Sequence, residues 1–319
     1  MVRPLVLRPL YLPVALVLAL GLLSGCSPAE DPSAKTGPLP ASSHYRDFEE
    51  ADSLAAYLRS DARPLVGAHR GGPTARFPEN ALATFAHSLT RGPVLLETDV
   101  RMTQDSVLVL MHDETLGRTT TGSGAVRSRT LRELRGLRLV TNGGDTTRYP
   151  VPTVLEALAW AEGRAVLQLD VKEGVPRALV AERLRRMDAL DQALVITYTL
   201  GDARWYHRRL PNLLLSVSAE TRDEAAAYVN QIAPSRLVAF AGVGPPSPDV
   251  LDVFSDRDVP VTVGTFGALD RRARQQGLVV YRTLFRNGVD IVATDETALA
   301  SQAAATSRTP KSKIPPQRR

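Results

Sequence analysis

A single cysteine, Cys26, is all that the 319 residues contain, so no disulfide can form within the chain and no cysteine-based zinc site can be built. The longest apolar run, residues 10–23, falls short of the roughly 20 residues that cross a bilayer comfortably. No Gly-x-Gly-x-x-Gly opens a helix after a strand-like run, which argues against a dinucleotide-binding fold. The body of the chain also lacks an excess of either charge. The formal net charge is +5, but Arg3 and Arg8 lie at the N-terminus, and Arg308, Lys311, Lys313, Arg318 and Arg319 lie in a final stretch without an acid. What remains is near neutral, so nothing points to nucleic acid, which needs a basic stripe on the fold itself. A composition of 44% apolar and 23% charged residues is that of a globular chain and excludes collagen, coiled coil and wholesale disorder.

The position of the one cysteine is informative. A short basic start, an apolar run and small residues before a cut describe a secretory signal. Leu23-Ser24-Gly25-Cys26 resembles a bacterial lipobox, which implies cleavage before Cys26 and lipidation of its thiol. Residues 1–25 are thus expected to be a lipoprotein signal peptide. Residues 26–43, rich in Pro, Ser and Ala, are expected to form a flexible tether. Residues 44–305 form the expected folded domain, and 306–319 an expected disordered basic tail. The implied location is the bacterial cell envelope, periplasmic or extracellular, with a membrane partner through lipidated Cys26.

Eight strand-like apolar runs recur along the body, at 65–69, 94–100, 165–171, 193–198, 213–217, 236–241, 260–265 and 290–294. Helix-patterned segments separate most of them, including 80–90, 153–162, 176–187, 222–232 and 269–287. Alternation of this kind predicts an α/β fold with a parallel sheet. Eight units match a (β/α)8 TIM barrel, whose usual size is about 250 residues; a doubly wound open sheet is the runner-up. One connection is longer. A second apolar run, 107–111, follows the second strand and leads into a polar, Gly-rich stretch, so residues 103–152 read as an insertion at one end of the barrel.

Barrel chemistry sits just beyond the C-terminal ends of strands. Of five histidines, His69 and His112 each end an apolar run beside a charged residue, Arg70 and Asp113. Glu97 and Asp99 lie two apart on one strand, so their carboxylates share a face. Two buried acids repel, and a divalent cation resolves both the repulsion and the burial. Asp170 ends the following strand as a possible third oxygen ligand, with Lys172 on its face. An all-oxygen set suits Mg²⁺ or Ca²⁺ better than zinc. Asn80 is placed either to cap a helix or, with Glu79, to support the site from behind. Trp160 and Trp205 read as core residues, and His44, His87 and His207 as surface or packing residues.

His69-Arg70-Gly71, Pro78-Glu79-Asn80, Glu97-Thr98-Asp99-Val100 and His112-Asp113 with Arg118-Thr119-Thr120 together resemble the glycerophosphodiester phosphodiesterases. Val151-Pro152-Thr153, Leu169-Asp170-Val171-Lys172, Gly288-Val289-Asp290 and Thr294-Asp295 continue the resemblance. It implies a TIM-barrel hydrolase that cleaves glycerophosphodiesters to an alcohol and glycerol 3-phosphate. It implies one divalent cation on Glu97, Asp99 and Asp170, acid/base catalysis by His69 and His112, and phosphate contacts from Arg70 and Lys172. The chain departs from the family pattern near the site, and Glu296 stands where a Pro often follows the final Thr-Asp. Asp170 stands where the family usually has Glu, and Gly264 where it often has Trp, with Phe266 two residues on. Two other functions stay open: a barrel of this type acting on inositol or sphingoid headgroups, and a lipoprotein that binds a ligand without catalysis.

Overall fold

The computed structural model describes residues 44–60 and 62–307. Cys26, the expected signal peptide, the tether and the tail from 308 onward lie outside the described residues. The chain enters through helix α1 (Ala51–Arg59) and alternates thereafter: β1 (Leu65–Ala68), α2 (Leu82–Leu89), β2 (Val94–Met102), β3 (Leu108–Leu110), α3 (Leu131–Arg135), α4 (Val154–Ala161), β4 (Val166–Val171), α5 (Arg177–Arg186) and β5 (Ala193–Thr197). It continues through α6 (Leu200–Arg209), β6 (Leu214–Ser218), α7 (Arg222–Gln231), β7 (Leu237–Val243), α8 (Pro248–Ser255), β8 (Val261–Gly264), α9 (Ala268–Gln276), α10 (Val279–Arg286), β9 (Ile291–Thr294) and α11 (Thr297–Ser307).

All strands except β3 pair in parallel, and β1 pairs with both β2 and β9, which closes the sheet into an eight-stranded parallel barrel. All eight expected strands are present, and the TIM barrel rather than the open sheet is the architecture. Outward-facing residues such as Leu96, Val100, Leu167 and Leu169 pack against the helical layer with Phe85, Leu158 and Leu184. Inside, a second cluster of Leu65, Leu95, Val166, Leu194, Leu214, Val238 and Ile291 fills the N-terminal end of the barrel. Leu54, Ala55 and Leu58 of α1 seal it from below.

Three local differences from the sequence reading have physical reasons. Helix α1 closes the barrel floor, a role visible only once the strands are in place. The segment 269–287 forms two helices, because Gly277 ends α9 at φ 75° and ψ −154°. Helix α3 forms inside the insertion, where Thr130 and Glu133 make a reciprocal capping box. The insertion itself is built as expected. Strand β3 runs antiparallel to β2, and Val107, Val109, Met111, Leu116, Val126, Leu134, Leu139 and Val151 form its own small core. At the other end, α11 runs to Ser307, two residues past the expected boundary. No helix among the described residues is long and apolar enough to cross a membrane.

Candidate active site

Strand β2 carries the first two acids. Glu97 pairs in register with Gln168 of β4, and Asp99 with Asp170, so Asp99 and Asp170 stand at one height on adjacent strands. Glu97, Asp99 and Asp170 are all buried, and one carboxylate oxygen from each lies within 4.8 Å of the other two. The shorter side chain of Asp170 still reaches the cluster. Two groups hold it: the Tyr198 hydroxyl donates to Oδ1 at 2.8 Å, and the Lys172 ammonium donates to Oδ2. Lys172 Nζ also lies 2.7 Å from Asp99 Oδ1.

The electrostatics follow from burial. Desolvation, and then the neighbouring Asp99, push the Glu97 carboxyl well above the usual carboxylate range. Burial also disfavours the Asp99 carboxylate, but Lys172 and a hydrogen bond from Asn80 outweigh it and hold the group below its ordinary value. Lys172 is raised, because Asp99 and Asp170 more than offset its own desolvation. One ammonium therefore faces three buried carboxylates. Hard oxygen donors converging with excess negative charge fit a metal ion, and the cluster could hold one.

The loops around this cluster are tightly specified. His69 begins a short 3₁₀ turn after β1, in which Arg70 takes a left-handed conformation (φ 51°). That turn aims the Arg70 backbone N–H at Glu97 Oε2, 2.6 Å away. Gly71 follows at φ 82°, and a Cβ there would lie 2.3 Å from the Phe85 ring, so only glycine fits. Asn80 is also left-handed (φ 56°) and does not cap α2, whose N-cap is Ala81. Its amide donates to Asp99 Oδ2 at 2.8 Å, and its carbonyl oxygen accepts from Thr98 Oγ1 and from the Asp99 backbone N–H. Asn80 thus bonds to the acid-bearing strand β2 and not to the first turn of α2. At Arg70 and Asn80 the left-handed backbone accompanies a hydrogen bond to an acid, from the Arg70 N–H to Glu97 and from the Asn80 amide to Asp99.

Glu79, also buried, joins two guanidinium groups. It accepts from Arg70 Nη1 at 3.1 Å and from Arg118 Nη1 and Nη2 at 2.9 and 2.8 Å. Arg118 also donates to Asp113, at 2.6 Å from Nε and 3.0 Å from Nη2. Arg118 thus ties the insertion to the turn that carries Arg70. Arg70 Nε is buried without a hydrogen-bond partner, 3.9 Å from Asp99 Oδ2.

Both histidines reach this region, by different routes. His69 sits at the end of barrel strand β1, as expected. His112 does not end a barrel strand: it follows β3, whose antiparallel course returns the chain to β2, where the Met111 N–H donates to the Asp99 carbonyl at 2.9 Å. The two rings share one device. His69 Nδ1 lies 2.7 Å from Asp295 Oδ1, and His112 Nδ1 lies 2.8 Å from Asp113 Oδ1. Arg118 and His112 together hold Asp113 far below the usual carboxylate range. Each imidazole is left with Nε2 for other work.

Sequence reasoning missed Asp295 and Tyr198 as site residues. Asp295 directly follows the run 290–294, which is the signal that could have found it, whereas Tyr198 closes the run 193–198 and carries no pattern of its own. Of the residues assigned to packing, Trp160 is buried, whereas Trp205 is only partly buried and has the Arg177 and Arg209 guanidinium groups over its ring, 5.1 and 4.1 Å from the centroid.

Comparison with known proteins agrees with this geometry. Residues 69–299 match the model of the glycerophosphoryl diester phosphodiesterase family. The chain belongs to that family. The crystal structure of a glycerophosphoryl diester phosphodiesterase from Parabacteroides distasonis superposes with a TM-score of 0.76 at 31% identity, covering 84% of this chain and 95% of that one. A glycerophosphodiester phosphodiesterase of Bacillus altitudinis is 30% identical over 160 residues, 48% of this chain and 65% of the relative. Glycerophosphodiester phosphodiesterase 1 of Rattus norvegicus is 35% identical over 151 residues, 46% of this chain and 45% of the relative. The chain therefore spans between about half and two thirds of these two relatives' lengths.

Proposed function

We propose that the protein hydrolyses glycerophosphodiesters to an alcohol and glycerol 3-phosphate. The observation that carries this reading is the meeting of Glu97, Asp99 and Asp170 with two histidines whose Nδ1 atoms are each bound by a carboxylate. A phosphodiester is an anion that resists nucleophiles, so charge on its free oxygens must be neutralised. Arg70, with a buried and unpartnered Nε, and Lys172, held charged by its acids, supply cationic donors for those oxygens. Glu97, Asp99 and Asp170 would hold one divalent cation, Mg²⁺ or Ca²⁺, and that cation would supply Lewis-acid polarisation of the phosphate. Of His69 and His112, one accepts the proton of the attacking hydroxyl or water, and the other donates a proton to the departing oxygen. Asp295 and Asp113 keep each Nδ1 engaged, so each ring works through Nε2.

The test is release of glycerol 3-phosphate from glycerophosphocholine by the chelator-stripped domain, with and without added Mg²⁺ or Ca²⁺. Release restored by either ion is the expected result, and it is abolished in His69→Ala and in His112→Ala while their melting temperatures stay near that of the parent. Activity that survives in both variants, or in chelator, defeats the reading. A preference for inositol or sphingoid diesters would keep the chemistry and change the substrate.

We further propose that Cys26 anchors the protein to a bacterial envelope membrane. Support comes from the lipobox-like Leu23-Ser24-Gly25-Cys26. Incorporation of labelled palmitate that disappears in Cys26→Ser is the expected outcome.

A further inference from the structure

His69 is restrained on two sides. Asp295 takes its Nδ1, and the ring of Phe266 stacks on its face, with centroids 4.5 Å apart and planes 21° from parallel. Phe266 can occupy that place because residue 264 has no side chain. A Cβ added to Gly264 would lie 2.8 Å from two carbons of the Phe266 ring and 3.2 Å from Val243 Cγ2. No left-handed backbone is involved at Gly264; the requirement is for space alone. The backbone around Phe266 is fixed as well. The Thr265 N–H and hydroxyl both donate to the Ala293 carbonyl, at 2.8 and 3.1 Å.

The two restraints share one buried residue. The Asp270 backbone N–H donates to the Thr265 carbonyl at 2.9 Å, and Asp270 Oδ2 accepts the Asp295 backbone N–H at 2.8 Å. Tyr281 and Thr294 hydroxyls hold Asp270 Oδ1, at 2.9 and 2.8 Å. The segment bearing Phe266 and the segment bearing Asp295 are therefore set relative to each other by one carboxylate and its backbone.

We infer that Phe266 is a positioning residue for His69, and that Gly264 serves the same end by leaving room for the ring. With Nδ1 engaged by Asp295 and one face covered by Phe266, the imidazole is confined to a single orientation. Stacked aromatic contacts of this kind are weak individually but directional. A reacting group displaced by about 1 Å can lose up to about a hundredfold in rate.

The test compares Phe266→Ala, Phe266→Tyr, Gly264→Ala and the Phe266→Ala/Gly264→Ala double variant with the parent, each checked for an unchanged melting temperature. Its kinetic arm rests on the diesterase reading. Phe266→Ala is expected to lower kcat about tenfold with KM within about twofold, while Phe266→Tyr keeps the parent's kcat. Gly264→Ala should fall like Phe266→Ala, and the double variant should fall no further, because both changes act through the same ring. The second arm needs no turnover. Carbethoxylation of His69 by diethyl pyrocarbonate, followed by mass spectrometry of its peptide, should be several-fold faster in Phe266→Ala and Gly264→Ala and unchanged in Phe266→Tyr. An unaltered kcat with a raised KM in Phe266→Ala would make Phe266 a substrate wall and overturn the inference. So would equal carbethoxylation rates in all variants. A parent that cleaves no glycerophosphodiester would defeat the proposed function, and the carbethoxylation rates would still decide the role of Phe266.

Discussion

At the scale of single residues, the site is defined less by the two histidines than by what binds their far side. Asp113 adjoins His112 in the chain, so its contact with that ring needs no tertiary structure to arise. Asp295 is 226 positions from His69, and only closure of the barrel between β1 and β9 brings them together. Asp295→Asn tests what the carboxylate does. An amide is close in shape, but it can offer an N–H to Nδ1 and so favour the tautomer that carries its proton on Nε2. Under the proposed mechanism kcat should drop by roughly ten- to a hundredfold, with little change in KM or melting temperature. A kcat equal to the parent's would mean that the pair only supports the β9 turn. The acid cluster was legible because strand periodicity alone puts Glu97 and Asp99 on one face. Tyr198 was not, because a single tyrosine after a strand carries no pattern.

At the scale of elements, the eight strands were legible because each is a short apolar run bounded by turn residues and separated from the next by a helical pattern. Helix α1 was passed over although Ala51, Leu54, Ala55 and Leu58, its buried positions, follow helical spacing. What it buries against cannot be read locally. The floor of the barrel is assembled from Leu65, Leu95, Val166, Leu194, Leu214, Val238 and Ile291, which are spread over most of the chain. Leu58 is fully buried in that floor. Leu58→Ala should therefore cost about 2–5 kcal/mol of unfolding free energy, the usual range for removing a packed leucine. Chemical denaturation followed by tryptophan fluorescence measures this. A loss below about 1 kcal/mol would show that α1 docks loosely and leaves the floor to the strands. The active-site mouth is at the opposite end, so kcat in the absence of denaturant should stay near the parent value.

At the scale of the whole molecule, the fold gathers charge that it cannot neutralise by itself. A body of nearly balanced charge places Glu97, Asp99 and Asp170 in one buried cluster with Lys172 as the ammonium among them. The consequence for stability has a definite sign. The Glu97 carboxyl is raised in the folded protein by burial and by Asp99, so folding favours its neutral form. That contribution is fully present below the ordinary glutamate value of about 4.3 and is lost as pH climbs toward the raised value. Asp99 behaves oppositely: it is lowered, so its contribution is lost only as pH falls below the ordinary aspartate range. The two windows do not overlap. A divalent cation binds the ionised cluster, so protons compete with it, and the cation relieves the repulsion that rising pH creates. Melting temperatures of the chelator-stripped protein, taken with and without Mg²⁺ or Ca²⁺ from pH 5 to pH 8, should therefore diverge as pH increases. The increment due to the cation should be smallest in acid and largest at pH 8. Glu97→Gln removes both the titrating group and a ligand, and should flatten that dependence. An increment that is the same at every pH, or that survives in Glu97→Gln, would place the stabilising cation somewhere other than this cluster.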